Sequence, residues 1–383
     1  MKPIAYCKDY KYLGVNINEH IDFRFTVDKH SDSAGRALGA IVTKMIKNNG
    51  FPYKVYSMLY SVCVTSIADY SGPVTGFDKY DSALKLHLRA IRAFIGVPKN
   101  ACSVGILSEV DLLMPQYRTK IQMVRQYHRM LGMHDSKLTK QVYFWDRTLN
   151  DRNIVKTWSS EIKSIFEQCN ILGTYANNSP FLLKPMIETI VSTFKQKQNQ
   201  NLKEECGLMP KLRTFNLFKE FMTQPAYITK PLTFYQRRIL ARTRLGCLPL
   251  RLETGRYSVP RLPEADRTCL VCKDDANLVD VEHADHGGHP LVHDGDREVR
   301  GVDAVVRGGD PVESETHFLF HCVKYEAERG IWHEKMTLPN NFDNLPLETK
   351  LSTVLNDPQN VKFTAQFILN SFNLRSKILS KIM

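Results

Sequence analysis

A chain of 383 residues, 43% of them hydrophobic, has enough apolar side chains for two or three packed domains and is no disordered tail. Lys plus Arg number 52 against 40 Asp plus Glu, a net charge of +12 that favours an acidic partner, nucleic acid ahead of a membrane surface. MKPIAYCKDY shows no apolar run before its first charges, and no stretch approaches the ~20 apolar residues of a span, so neither a secretory signal nor a membrane helix is expected.

In chain order, DYKYLGVNI alternates aromatic and β-branched residues with polar ones and reads as a strand. A helix over 31–47 carries Ala34, Leu38, Ile41 and Met45 on one stripe and stops at Gly50. The next starts at Pro52, a favourable first-turn residue, and runs through Leu59 and Val62 towards Asp69. A third, about 79–95, ends at Gly96 and Pro98, and a fourth spans about 117–131 with Ile121, Val124 and Leu131. From about 140 to 230, helical patches alternate with polar breaks such as ANNSP and KQKQNQNLK, which predicts a loosely connected helical linker. LTFYQRRILARTRL (232–245) is a further helix, and VKYEAERGIWHEKM and VKFTAQFILNSFNLRSKILSK supply closing ones. The expected class is mainly α, with sheet only at the first strand and around the Cys-x-x-Cys pair.

Residues 283–313 differ from the rest of the chain in being rich in Gly, His, Asp and Val, without aromatics and without a period of 2 or 3.6. They read as an inserted flexible loop, and the dipeptide VE occurs on both sides, at 281–282 and 312–313.

Nine cysteines, mostly single, make no disulfide framework in a chain this long, which points to the reducing cytoplasm or nucleus. Cys269 and Cys272 have the Cys-x-x-Cys spacing that gives zinc two thiolates from one tight turn. THFLFHC offers the other half: His317 with Cys322 in H-x4-C, or His317 with His321 in H-x3-H. Residues five apart cannot share a face of a regular helix, so the first choice places His317 before a helix that starts near Cys322. The 44 residues between Cys272 and His317 are long for a knuckle, and removing 283–313 leaves an ordinary 13. The alternative is a pair of buried free thiols beside an unrelated histidine. His283, His286, His289 and His293 could make a second site, although a His- and Asp-rich loop more often binds nothing specific.

Arg237, Arg238, Arg242, Arg244, Arg251, Arg256, Arg261 and Arg267 crowd the approach to the cysteines with no lysine among them. Arginine suits bidentate phosphate contact and base stacking. On the 79–95 helix, Lys85, Arg89 and Arg92 form a basic stripe beside the apolar stripe of Leu84, Leu88, Ile91 and Ile95. Together these predict contacts to nucleic-acid phosphates. The paired carboxylates that hold Mg²⁺ in polymerases and nucleases are not recognisable, since the one Asp-Asp pair, Asp274–Asp275, sits in the knuckle loop. There is no P-loop and no H-E-x-x-H, and His128 reads as a surface or packing histidine. No catalytic site is expected.

YKYLGVNI, LHLRAIRAFIGVPKN, LSEVDLLMP, KLRTFNLFK, RTRLGCLPLRLETGRYSVPRLPEADRTCLVC and ETHFLFHCVKYEAER occur in that order. The series resembles the C-terminal part of the reverse transcriptase of non-LTR (LINE-type) retrotransposons and covers nearly the whole chain outside the insertion. The resemblance implies a primer-grip strand at Tyr12, Leu13 and Gly14, followed by a helical thumb. It also implies a CCHC knuckle of Cys269, Cys272, His317 and Cys322, with His321 at a non-ligand position. The chain is then expected to divide into a strand within 1–20, a thumb-like bundle over 21–140, and a helical linker over 141–230. The Arg-rich helix, zinc knuckle and C-terminal helices would fill 231–383. The polymerase palm and any endonuclease would lie outside these residues. The expected function is a non-catalytic nucleic-acid-binding fragment that takes Zn²⁺, contacts RNA or DNA through phosphates, and uses no membrane or small-molecule substrate. The alternatives are part of an active RNA-directed DNA polymerase whose palm lies on a separate or upstream polypeptide, and a purely structural protein whose basic helices bind another protein.

Overall fold

The computed structural model describes residues 7–152, 157–178, 181–221, 223–272 and 312–382, and they are mainly helical, as expected. The stretch read as one strand folds into two. β1 (Asp9–Tyr12) and β2 (Val15–Asn18) pair antiparallel, with Tyr10 opposite Ile17 and Tyr12 opposite Val15. Leu13 and Gly14 turn the chain with φ of 46° and 85°. Two consecutive positive φ values match the twist of a tight hairpin, but Leu-Gly lacks the Asn or Asp that announces such a turn in a sequence. The turn is anchored from below: His30 Nε2–H donates to the Gly14 carbonyl at 3.2 Å, and the His30 ring meets Tyr70 edge-on.

α1 (Arg24–Lys47) starts seven residues before the predicted 31, because its buried stripe runs back from Ala34 through Ser31 to Val27. The polar Ser31 hides that continuity. Asn49 and Gly50, at φ of 53° and 111°, end the helix. α2 (Tyr53–Leu59), a π-helical stretch Tyr60–Thr65 and α3 (Ser66–Ala68) run on without a break. The buried Tyr56, Tyr60, Val64 and Ala68 are four apart, a spacing that drifts around an α-helix of 3.6 residues per turn. The wider π turn holds the four on one side. The single turn α4 (Gly72–Thr75) leads to α5 (Asp81–Ile95), which ends at left-handed Gly96, and then to α6 (Ser103–Glu109).

Much of the expected linker, together with the helix before it, forms a second packed core, while Leu212, Phe215, Phe218, Tyr227 and Ile228 near its end pack in another. α7 (Pro115–Leu131), α8 (Leu138–Asp151), α9 (Trp158–Gln168) and α10 (Leu172–Ala176) enclose Tyr127, with the rings of Tyr143 and Phe166 each 5.6 Å from it. α11 (Leu183–Gly207) serves both cores: Ile190 and Phe194 sit in this one, Leu202 and Cys206 in the other. Gln198 marks the crossing, accepting from the Met114 N–H at 2.9 Å and donating to the Leu112 carbonyl at 3.1 Å.

The first core gathers α1, α2, α5 and α6 with the C-terminal half of the chain. That half comprises α12 (Arg213–Phe218), α13 (Ala226–Thr229), α14 (Phe234–Arg244), α15 (Arg251–Thr254), α16 (Glu326–Lys335), α17 (Leu347–Leu355) and α18 (Val361–Ile382). Trp332 of α16 stacks on Phe367 of α18 at 4.3 Å.

Through this core runs a buried ion pair. Arg244 Nε and Nη2 donate to the two oxygens of Glu109 at 2.7 and 2.9 Å, and both side chains are 0% exposed. Nη1 donates to the Leu355 carbonyl and to Asn356 Oδ1. Burial pushes the Glu109 carboxyl up, but Arg244 and Lys219 outweigh it and leave the group below its ordinary value. Lys219, its side chain 2% exposed, stands 3.6 Å from the same carboxylate, so removing one member strands a charge and only removing all three does not. Arg244→Met should therefore cost about 3–5 kcal/mol in denaturant unfolding, and the triple variant with Glu109→Leu and Lys219→Met should recover most of it.

A second buried group is held neutral. His87 on α5 is fully buried, its Nδ1 is 2.8 Å from the Tyr60 hydroxyl, and Nε2 has no hydrogen-bond partner among the described residues. Burial, reinforced by the Arg118 charge, holds its pKa well below the ordinary 6.5. The folded ring stays neutral while the unfolded one takes a proton below 6.5, so stability is present above that pH and falls as the solution is acidified. His87→Gln should flatten the acid side of the stability curve by about 1.4 kcal/mol per pH unit, read from urea unfolding between pH 7 and 5.

Candidate metal centre

The site is assembled by short backbone ties rather than by long elements. Thr268 bridges antiparallel to Val312, and the Glu313 N–H donates to the Arg267 carbonyl at 2.9 Å. This places the Cys269–Cys272 turn beside the His317–Cys322 segment. Val312 and Glu313, predicted to end the insertion, therefore belong to the folded framework. The rest of the predicted 283–313 loop, with His283, His286, His289 and His293, lies outside the described residues.

Glu313 fixes the returning chain. Its carboxylate accepts from Arg375 Nε and Nη2 of α18 at 2.9 and 3.0 Å and from the Arg251 N–H of α15 at 2.6 Å. Four residues later His317 opens a π-helical turn, His317–His321, and the Cys322 N–H donates back to the His317 carbonyl at 2.8 Å. The sequence geometry placed His317 ahead of a helix starting near Cys322. A helical turn does start there (Val323–Tyr325), but His317 itself lies within the π turn. An i→i+5 bond brings residues five apart to one side, which a regular α-helix does not do. Arg329 of α16 closes the turn, donating to the Leu319 and Cys322 carbonyls at 3.0 and 2.9 Å.

The ligand atoms of Cys269, Cys272, His317 and Cys322 all lie within 4.8 Å of one another. Cys272 Sγ is 3.3 Å from His317 Nε2 and 3.3 Å from Cys322 Sγ. Tetrahedral coordination at Zn–S distances of about 2.3 Å sets ligand atoms about 3.5–3.8 Å apart, so small adjustments fit an ion between them. Three sulfurs and one imidazole nitrogen form a soft donor set, compatible with zinc. Hydrogen bonds from Cys269 and Cys322 pull the Cys272 thiol well down, and bonds within the same trio push the Cys322 thiol up. His321 is exposed and outside the cluster.

The residues predicted to touch nucleic acid divide. Tyr12 is 56% exposed and stacks on Tyr10 at 6.5 Å, and Lys85 and Arg89 are exposed on α5. Arg92 turns inward, its Nη2 donating to Ser103 Oγ at 2.9 Å. The α14 run is mostly internal, which corrects the expectation of a phosphate-binding face there. Arg244 holds Glu109. Arg237 is 1% exposed, lies over the Phe94 ring at 4.2 Å and donates to the Phe51 carbonyl at 3.0 Å. Burial brings its pKa down to about 10. Arg242 donates to the Gly96 carbonyl at 3.2 Å, and Arg238 packs its stem on Gly96. Arg237 and Arg244, seven apart, share the buried face of α14, while Tyr235 is exposed and Arg238 and Arg242 are half-buried on the opposite one. Sequence reasoning also missed Glu313, Arg329 and Arg375; the one signal was a carboxylate followed by Ser-Glu just before the THFLFHC segment.

No family model, curated protein or solved structure matches this chain.

Cys269→Ser and Cys322→Ser should each bring bound metal close to none, and His321→Ala should leave it at one ion per chain, measured by elemental analysis of the purified protein. Metal loss in His321→Ala would mean that the H-x3-H pair supplies the ligand.

Proposed function

We propose that this chain is a non-catalytic, nucleic-acid-binding segment of a non-LTR retrotransposon reverse transcriptase, organised around a structural zinc. The observation that carries the reading is the convergence of Cys269, Cys272, His317 and Cys322 from two segments far apart in sequence. That is the ligand set that the ordered run of motifs implies. When bound, zinc would be held by Cys269, Cys272 and Cys322 as thiolates, each having lost its proton, and by the neutral imidazole of His317, which would close the knuckle. A structural zinc contributes roughly 10 kcal/mol or more, whereas doubling a loop's length costs only about 0.6, so a long excursion between the halves does not prevent closure. The net charge of +12 supplies the attraction to phosphate.

A second reading, part of an active polymerase with its palm on another polypeptide, is favoured by one feature. The hairpin leaves Tyr10, Tyr12, Leu13 and Ile17 exposed, a strand face of the kind that another domain covers.

Binding to single-stranded RNA or DNA, followed by fluorescence anisotropy, should weaken steeply with salt and vary little with sequence. Lys85→Gln with Arg89→Gln should flatten the log–log salt slope by about 0.7 for each phosphate that is no longer neutralised. A salt-independent Kd, or none at low salt, would remove the nucleic-acid reading. EDTA-sensitive nucleotide incorporation on a primed template would overturn the non-catalytic one.

A further inference from the structure

With Arg237 and Arg244 of α14 buried and Arg238 and Arg242 half-covered, the basic surface near the metal centre has another source. The Leu262 N–H donates to the Gly255 carbonyl at 3.1 Å, closing residues 255–262 into a compact loop directly after α15. Arg267 staples its base. Nε and Nη2 donate to the Leu262 carbonyl at 3.0 and 2.7 Å, and Nη1 reaches the Leu252 carbonyl at 3.1 Å. Gly255 allows this close approach, since a Cβ there would stand 2.8 Å from Arg267 Cγ. Two residues beyond Arg267 the chain enters the Cys269–Cys272 turn, so the loop and the metal centre share one rigid base.

The rim of this loop holds Arg256, Tyr257, Val259 and Arg261 and no carboxylate. Tyr257 is 61% exposed and Val259 99%. The Tyr257 hydroxyl is 3.3 Å from Glu253 Oε1, which fixes one edge of the ring and leaves its faces available. Arg261 is exposed and forms no ion pair among the described residues. Among the described residues the ion pair of Arg256, 21% exposed, is with Glu253 at 3.6 Å, and that carboxylate already holds Lys211. Arg213 borders the same cluster, 3.4 Å from Glu315. Arg256 and Arg261 therefore flank an exposed aromatic ring within the loop, and the nearest acidic residues in sequence, Glu253 and Glu264, lie outside it.

We infer that the 255–262 loop is a binding platform for single-stranded nucleic acid, in which Tyr257 stacks a base while Arg256 and Arg261 hold the flanking phosphates. It deepens the nucleic-acid reading above and rests on it. An exposed ring fixed at one edge loses little freedom on stacking, and any base offers it a π face. A duplex keeps its bases stacked internally, so the ring selects unpaired strands.

The test uses the full chain with metal bound and labelled 20-nucleotide oligouridine, oligodeoxythymidine and a DNA duplex. Tyr257→Leu should weaken single-strand binding about 5- to 100-fold and leave duplex binding unchanged, and Tyr257→Phe should restore it. Arg256→Gln with Arg261→Gln should weaken all three ligands and lower the salt slope by about 0.7 on the single strands and about 0.9 on the duplex for each phosphate released. Metal content and melting temperature should match the parent in every variant. If the parent binds and the loop variants bind equally well, the platform is wrong and the broader reading stands. If the parent binds no nucleic acid at low salt, both fall. Greater loss on uridine than on thymidine would assign the platform to RNA, and the reverse to DNA; either supports it.

Discussion

The arrangement rests on one desolvated bond. Glu109 and Arg244 meet as a two-pronged pair with no access to water, at the point where α6, α14 and the end of α17 converge. Burying two charges costs several kcal/mol each, so the pair contributes less net stability than register. With the Arg244 guanidinium pinned at three corners, α14 can neither slide nor rotate. Two turns earlier Arg237 then falls over Phe94, and α18 packs along the same helix. α18 in turn carries Arg375, which grips Glu313, and Glu313 sets where the returning chain delivers His317. The metal ligands thus inherit their position from an ion pair in another part of the core.

Several features were legible before any coordinates. Gly50 and Gly96 end α1 and α5 because both positions need positive φ. Cys-x-x-Cys and the H-x4-C choice name the four residues that converge. Other features left no trace at the scale sequence patterns sample. Arg244 and Glu109 are 135 positions apart, and nothing local distinguishes an arginine that will be sealed from one that will be wet. The second core escaped because Tyr127, Tyr143, Phe166, Tyr175 and Phe194 come one or two to a helix, separated by polar breaks. A single apolar face does not say which other face it meets, and only their mutual packing makes a core.

Net charge counts arginines without locating them. Here Arg237 and Arg244 act as internal struts, Arg267 and Arg329 tie loop carbonyls, and Arg375 clamps a carboxylate. Guanidinium suits such work because its planar donors satisfy several carbonyls at once and its face rests on aromatic rings. The charge that remains for outside partners is carried by fewer arginines than composition suggests; Arg89 on α5 and Arg261 near the metal centre are among the exposed ones.

The Thr268–Val312 bridge has a consequence for how such a protein changes over generations. Its two Cα atoms stand about 5 Å apart, as in any antiparallel pair, so positions 44 apart in sequence are held side by side by backbone alone. Main-chain pairing asks little of the side chains beyond excluding proline, so Thr268 and Val312 can change identity without moving Cys269 relative to His317. Selection on this joint therefore acts on the paired backbone and leaves its side chains free to drift, while the four residues of the cluster beside it are tied to their chemistry.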